Sequence, residues 1–573
     1  MHKEREPRVL IVFADGTGNA FSVSQTNIWR LYTATDQSDG GQIARYIPGV
    51  GTHGNSIIRL IDGATGFGVP SNVRKLYRFL CWNWRPGDRI LLFGFSRGAF
   101  TVRTLAGMIA RQGLMPAERD DRPVSTAEMR RNARGAWRAY RKATLGPVWP
   151  TIAAARLVRD GLVTAKRWLF GQKLHGDIEK EVAGTKRRPV WPPDVQEFTG
   201  PPDCGVTVDF LGVFDTVEAY GMPVEELRGL IDRLIFPLNF ANGVCAPCVL
   251  HARHALAIDE ERLSFHPVAF ETPSERAWQD VRQMWFPGVH SDIGGGYPED
   301  HGAVPPLQWI LDGAREAGLR VAPTLQEDLI ARRFDLAPIH DSRKGLAAAY
   351  RYQPRHIDPT EEADPTLPAK LEGGADLYGP ISPAEGCMIA GQDALPPLPA
   401  ATRQAIAAMV FRYRLLNRAI IAIIAFFCLY PLRFLFETGA DGRLTILSEG
   451  LRNWVMSGLM RSGCTGAGAL LFGGMLYVSG WNLRDRIRDA AAAGWRGQEQ
   501  VPKVSRFWHA GARMAPKTLE YVFACTILAL VACTFTPNSA RSPGPCALCA
   551  EGRRANRARR RAPACLRSAG ALH

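Results

Sequence analysis

Apolar positions along this chain fall into two kinds of pattern. Continuous apolar runs, the signature of strands covered on both faces, occur at Arg8–Ala14, Ile90–Phe93 and Val206–Phe214, and Asp280–Phe286 alternates like a strand. Between them, residues 26–35, 71–84, 99–115 and 304–317 carry apolar side chains at helical spacing. Ala44–Gly51 reads as another strand with its loop, and His251–Asp259 reads as a helix. Strand and helix alternate, which predicts an α/β fold built on a doubly wound, mostly parallel sheet. Six Arg/Lys and no acid between Met129 and Lys142 open a basic stretch that predicts a helical insertion over about residues 120–195.

The pattern changes after about residue 358, where the catalytic domain (1–358) is expected to end. Residues 359–400 are rich in Pro, Gly and acids and read as a linker. Residues 401–536 read as a membrane-associated helical region with candidate spans at 419–436, 463–483 and 521–536. Gly463–Leu483 holds no charge over 21 residues, enough at ~1.5 Å per residue to cross a ~30 Å hydrocarbon core. A buried hairpin of core helices is the rival reading of the first two spans. Arginines before the first span and after the second predict a multi-pass bacterial inner-membrane protein with its catalytic part on the cytoplasmic side. The charged N-terminus leads directly into a strand, so no cleavable signal peptide is expected. Residues 537–573 lack periodicity and read as a disordered tail.

Composition adds a charge and removes two classes. The formal net charge is +15, dominated by arginine, which suits an anionic lipid surface or nucleic acid. No nucleic-acid-binding motif accompanies it, so nucleic acid is not an expected partner. Twelve cysteines in 573 residues do not form a disulfide framework.

The chemistry centres on Gly94-Phe-Ser96-Arg-Gly98. An apolar strand runs into it and a helical stretch runs out, which is the setting of a nucleophile elbow. The turn is so tight that a Cβ at Gly94 or Gly98 would clash, and Ser96 is expected at its apex, strained and with its hydroxyl exposed. A serine needs a base within hydrogen-bond reach, and the chain order Ser, acid, His is met by Ser96, Asp215 and His290. Asp215 ends an apolar strand, and His290 sits on a glycine-rich loop. Asp209 and Asp292 compete as the acid, and His251, His254 and His266 compete as the base. The oxyanion hole needs two backbone N–H groups, for which Arg97 and Gly16 are the expected donors. Cys245, Cys248, His251 and His254 crowd into ten residues and read as no zinc site, and Gly63–Gly68 lacks the preceding strand of a dinucleotide fingerprint. No metal or cofactor is expected.

Six motifs then carry a resemblance: Asp15–Asn19, Thr26–Ile28, Gly94–Ala99, Gly212–Val217, Ala255–Asp259 and Pro287–Tyr297. Together they resemble the α/β-hydrolase domain family that includes phospholipase effectors of the bacterial type VI secretion system. The likeness runs over about residues 8–355. It implies an α/β-hydrolase fold, a Ser96–Asp215–His290 triad and hydrolysis of glycerophospholipid acyl esters. It also implies a secretion apparatus or an immunity protein as partner, and export as a secreted effector.

The resulting expectation is a membrane-attached serine ester hydrolase acting on phospholipid. Its alternatives are a hydrolase of small esters or thioesters, and an inactive membrane-bound interaction or toxin-delivery module.

Overall fold

A computed structural model describes residues 6–16, 25–49, 68–119, 122–144, 161, 206–218, 243–271, 278–344, 347–348, 350–373, 378–429, 463–498 and 501–512. The chain divides into two units, Met1–Ile421 with Leu471–Thr518, and Ala422–Leu470 with Leu519–His573. Of the second unit, only the helical stretches 422–429 and 463–470 are described.

The first unit is built on strands β1 (Val9–Ala14), β2 (Gln42–Ile47), β3 (Arg89–Phe95), β4 (Val208–Phe214), β5 (Val249–Ala257), β6 (Asp280–Phe286), β7 (Glu362–Ala363) and β8 (Met388–Ile389). They form one sheet in the order β8-β7-β6-β5-β4-β3-β1-β2, and every neighbouring pair is parallel. The chain winds outward from β1 to β2, then returns to place β3 on the other side of β1. The point of reversal lies between β1 and β3, where open parallel sheets gather their chemistry at the carboxyl ends of the strands.

Alternate strand residues feed two cores. Leu10, Val12, Ile90 and Leu92 pack beneath helices α2 (Gly68–Asn83) and α3 (Arg97–Gln112) through Leu76, Leu80, Leu105 and Ile109. Ile11, Phe13, Leu91, Phe93 and Phe210 pack on the opposite face with Ile28 and Leu31 of α1 (Asn27–Ala34) and Leu307 and Ile310 of α6 (Val304–Glu316). These central side chains are fully buried, which explains why the strands read as unbroken apolar runs. The basic helix α4 (Thr126–Thr144) packs on this assembly through Met129, Ala133 and Trp137. The rest of the insertion expected over 120–195 lies outside the described residues, apart from residues 122–144 and 161.

Three expectations need correction. Residues 251–257 are strand β5, not helix. Their small residues leave the helical spacing ambiguous, and pairing with β4 and β6 on both sides decides the outcome. Residues 359–400 are not a bare linker: β7, β8 and helix α8 (Thr366–Gly373) extend the sheet edge and bury Ile357, Leu367 and Leu371 with Trp285. Two-residue strands carry no readable period, so the Pro- and Gly-rich composition dominated the sequence pattern.

The third correction concerns the membrane. Among the described residues no helix is long and apolar enough to cross a membrane. Candidate span 419–436 falls partly on the end of helix α9 (Ala400–Leu429), and span 463–483 on the first part of α10 (Gly463–Trp495). Glycines, Ser479 and Asn482 dilute the second run, and arginines interrupt α9. Within the first unit these helices meet in a core that lies mostly outside the two candidate spans: Ile406, Met409 and Tyr413 of α9 pack with Leu483, Ile487 and Ala491 of α10 and with Tyr352, while Leu471, Phe472, Met475 and Val478 of α10 are exposed. Span 521–536 and the tail 537–573 lie outside the described residues.

Candidate active site

Ser96 stands between β3 and α3 in a backbone conformation that L residues avoid, with φ 57° and ψ −124°. Both flanking glycines are sterically required. A Cβ on Gly98 would lie 2.1 Å from the carbonyl oxygen of Ala14, and one on Gly94 would lie 2.6 Å from the Ala99 backbone. The strain is held by register: β3 pairs with β4 as far as Phe95↔Phe214, and Ser96 N–H donates to Phe214 O at 3.0 Å. The hydroxyl is enclosed rather than exposed, since Ser96 is 5% accessible. The turn after His290 closes over the elbow, close enough that a Cβ on Gly294 would lie 2.0 Å from the Phe95 ring.

The same level strand ends deliver the other two groups. Asp215 follows β4 directly and also has positive φ, at 39°. His290 follows β6 and opens the short helix α5 (His290–Gly294). His290 Nε2 lies 2.8 Å from Ser96 Oγ, and His290 Nδ1 lies 2.5 Å from Asp215 Oδ2. The structure therefore brings Ser96, Asp215 and His290 into one hydrogen-bonded line, each at most 5% accessible. The imidazole is fixed between Phe95, with ring centroids 4.8 Å apart, and the edge of Phe265, at 5.1 Å. Its backbone N–H donates to Glu260 Oε2 at 3.3 Å.

Sequence reasoning missed Arg355. Its Nη1 donates to Asp215 Oδ1 at 2.7 Å and to Ala257 O at 2.6 Å, and its Nη2 donates to Asp215 Oδ2 at 2.8 Å and to Phe265 O at 2.5 Å. Asp215 Oδ1 also accepts the Ala257 N–H at 3.1 Å. Burial pushes the Asp215 carboxyl up, but Arg355 and the hydrogen bonds from His290 and Arg355 outweigh it and hold the group well below the usual carboxylate range. Asp215 is thus a carboxylate with no accessible surface and every neighbour charge-matched. Arg355 lies 140 residues from its partner, in a segment with no regular element, so nothing local in the sequence marks it.

The two expected oxyanion donors differ. Arg97 opens α3 immediately after Ser96, at a helix N-terminus whose dipole favours negative charge. Gly16 sits where expected, after β1 and beside the elbow, with Phe95 2.7 Å from where its Cβ would be. Its N–H, however, already donates to Asp15 Oδ1 at 2.7 Å. Asp15 is tied down by Thr26 Oγ1 and Tyr46 Oη, both at 2.7 Å. Gly16 therefore faces the site with its donor engaged, and residues 17–24 of the same loop lie outside the described residues.

The competing acids and bases have other partners. Asp209 accepts the Ile90 N–H at 2.8 Å between strands. Asp292 accepts the Val289 N–H at 3.0 Å and pairs with His340 Nδ1 at 2.6 Å. His254 is fully buried in β5, where its Nε2 accepts the Thr216 N–H at 3.1 Å and its Nδ1 meets Gln283 at 3.1 Å. Burial lowers its pKa to about 3, so it is a neutral strut beneath the Asp215 turn. His251 is exposed beside Asp280, and His266 Nε2 meets Gln353 O at 3.0 Å.

Residues 8–313 match the family model described as the T6SS phospholipase effector Tle1-like catalytic domain. An uncharacterized protein of Saccharomyces cerevisiae is 28% identical over 286 residues, covering 47% of this chain and 33% of that protein. The chain thus spans about a third of the length of that curated relative. Among solved structures, an uncharacterized protein from Pseudomonas aeruginosa aligns over 94% of this chain and 75% of its own, at 15% identity and a TM-score of 0.35. A Tle1 effector bound to the VgrG spike aligns over 51% of this chain and 52% of its own, at 20% identity and a TM-score of 0.25.

Proposed function

The chain belongs to the T6SS Tle1-like phospholipase effector family, and from that premise we propose that it cleaves acyl esters of glycerophospholipids with Ser96 as nucleophile. His290 Nε2 takes the Ser96 proton as Oγ adds to the acyl carbonyl. Asp215 holds the imidazole in the tautomer that presents a bare Nε2 to the serine and stabilises the cation that forms. The N–H of Arg97, at the head of α3, faces the developing oxyanion. His290 then hands its proton to the departing lysolipid oxygen, leaving the acyl group on Ser96. Water attacks that ester with His290 again as base, and the fatty acid leaves. Every proton is accounted for by the three side chains and water.

The observation that carries this reading is the 2.8 Å approach of His290 Nε2 to Ser96 Oγ, with Asp215 at 2.5 Å behind the ring. Family membership supports phospholipid as substrate and delivery by a secretion apparatus as the route to it. The bilayer is then met from its surface by a basic protein, with no described helix crossing it.

The test is incubation of the full chain with phosphatidylglycerol and phosphatidylethanolamine vesicles, with lysolipid and free fatty acid quantified beside Ser96→Ala and His290→Ala. Release by the wild type alone is expected. Equal release by all three, or none by the wild type together with no fluorophosphonate labelling of Ser96, would sink it.

A further inference from the structure

Beside Asp259 and His340, which hold the histidine loop, lies a cavity of about 310 Å³. Its walls come from the end of β5 (Asp259–Glu261), from residues 336–340, from Lys370 of α8, from residues 378–382 and from α10 (Asp485, Arg488 and Asp489). All of these belong to the first unit. The cavity is of the size that small-molecule sites occupy, and its lining is charged.

Lys370 is the informative group. It is 5% accessible, yet among the described residues its ammonium has neither a hydrogen bond nor an ion pair. Its ammonium stands 5.9 Å from the centroid of the Tyr378 ring, and the carboxylates of Asp259, Asp292, Asp335 and Asp364 act on it through space. Burial lowers its pKa, and the through-space pull of the four carboxylates offsets this only in part. An ammonium that lines a cavity with no hydrogen bond or ion pair of its own has its donors available to an anion. The rim has the opposite character, since Asp485 and Asp489 are exposed on the same face of α10 as half-buried Arg488.

The cavity wall also holds the histidine loop. Asp259 Oδ2 accepts the Gly288 N–H at 2.7 Å and the Tyr378 hydroxyl at 2.9 Å, and Asp259 N–H donates back to Gly288 O at 3.0 Å. Gly288 lies two residues before His290. On the other side of the loop, His340 pairs with Asp292, two residues after His290. A ligand seated here touches both anchors of the loop and neither reacting atom.

We propose that this cavity is a second ligand site for a small zwitterion, an oxyanion joined to an ammonium. The anionic group lies deep against Lys370 and the ammonium lies at the rim against Asp485 and Asp489. Two sources share that chemistry, an aminoalkyl phosphate of the lipid head-group kind and a free amino acid. Occupancy braces Asp259 and His340 and so stiffens the loop that carries His290.

Binding can be read without turnover, so its failure is separate from failure of the hydrolase reading. Full-length wild type, Lys370→Met and Asp485→Asn are titrated with phosphoethanolamine, β-alanine and inorganic phosphate by calorimetry. Amide exchange across residues 286–294 is followed in parallel. Phosphoethanolamine or β-alanine is expected to bind the wild type and slow exchange in that segment. At least a tenfold loss of affinity is expected in Lys370→Met, and a smaller loss in the surface variant Asp485→Asn, which leaves the buried wall intact. The tighter of the two zwitterions identifies the source. Binding that persists in Lys370→Met, phosphate binding as tightly as either zwitterion, or no binding by a folded wild type overturns the proposal.

Discussion

Arg355 grips both carboxylate oxygens of Asp215, at 2.7 and 2.8 Å, from a position outside the residues that match the family model. The pair is fully buried, so removing one member strands the other charge. Arg355→Met is expected to cost about 3–5 kcal/mol of stability, read by urea unfolding. It is also expected to lower kcat/KM, because a carboxylate released from its arginine orients the imidazole less firmly. Arg355→Lys keeps the charge but not the fork, and restores part of each effect. Loss of stability with an unchanged kcat/KM in the folded fraction would reduce Arg355 to a packing role.

Ser96→Ala and Asp215→Asn separate the nucleophile from its support. The first is expected to lower phospholipid turnover by roughly 10⁶ and to abolish fluorophosphonate labelling. The second keeps the nucleophile but favours the wrong tautomer of His290, for a loss of about 10⁴. Comparable residual activity in both would place the chemistry elsewhere.

Gly98→Ala tests the elbow without touching a reacting group. Its new methyl meets the Ala14 carbonyl oxygen at 2.1 Å, so backbone must shift. A loss of about 1–3 kcal/mol or more is expected in thermal unfolding, with labelling of Ser96 slowed in whatever fraction folds. Wild-type stability in this variant would contradict the packing of the turn on β1.

Stability should fall in acid through His254. Its folded pKa of about 3 lies below the ordinary histidine value of 6.5, so the stabilisation is fully present above pH 6.5 and is lost as pH falls toward 3. Glu260 acts in the same direction. Burial raises its pKa, but Arg262 outweighs that and sets it at about 2. A slope of up to about 1.4 kcal/mol per pH unit is expected from each single proton. His254→Gln removes one titration, so its unfolding free energy should vary less steeply between pH 4 and 6.5 than the wild type's. Parallel curves would show that His254 titrates alike in both states.

Arg484 tests the docking of α10. It is 5% accessible and meets Glu261 at 2.6 Å and Asp341 at 2.7 Å. Arg484→Gln leaves two carboxylates facing each other without their shared cation. A loss of about 3–5 kcal/mol is expected, with faster proteolysis between residues 471 and 498.

The sheet and the candidate groups Ser96, Asp215 and His290 were legible because their signals are local. Fully buried strands such as Leu10–Phe13 leave unbroken apolar runs, and an elbow needs glycine at two fixed offsets from its serine. The remainder depended on distant partners. Arg355 has no signature until Asp215 is placed beside it. The alternation in β5 was masked by alanines that suit either period. A glycine-rich apolar run such as 463–483 carries no period that says what it packs on: Leu483 joins a core with Tyr352, Ile406 and Tyr413, whereas Leu471, Phe472, Met475 and Val478 are exposed. Gly16 was placed correctly, but its N–H was already engaged by Asp15, which no spacing reveals.

The family-model match in this chain ends at residue 313, before two of its arginines come into play. A gene trimmed to residues 8–313 would encode all three reacting side chains. It would lack the guanidinium that neutralises Asp215 and the one that fastens α10 beside Glu261. Such a trimmed enzyme would be disarmed by an uncompensated charge, so any search for its minimal active form has to begin from the C-terminal side and work inward.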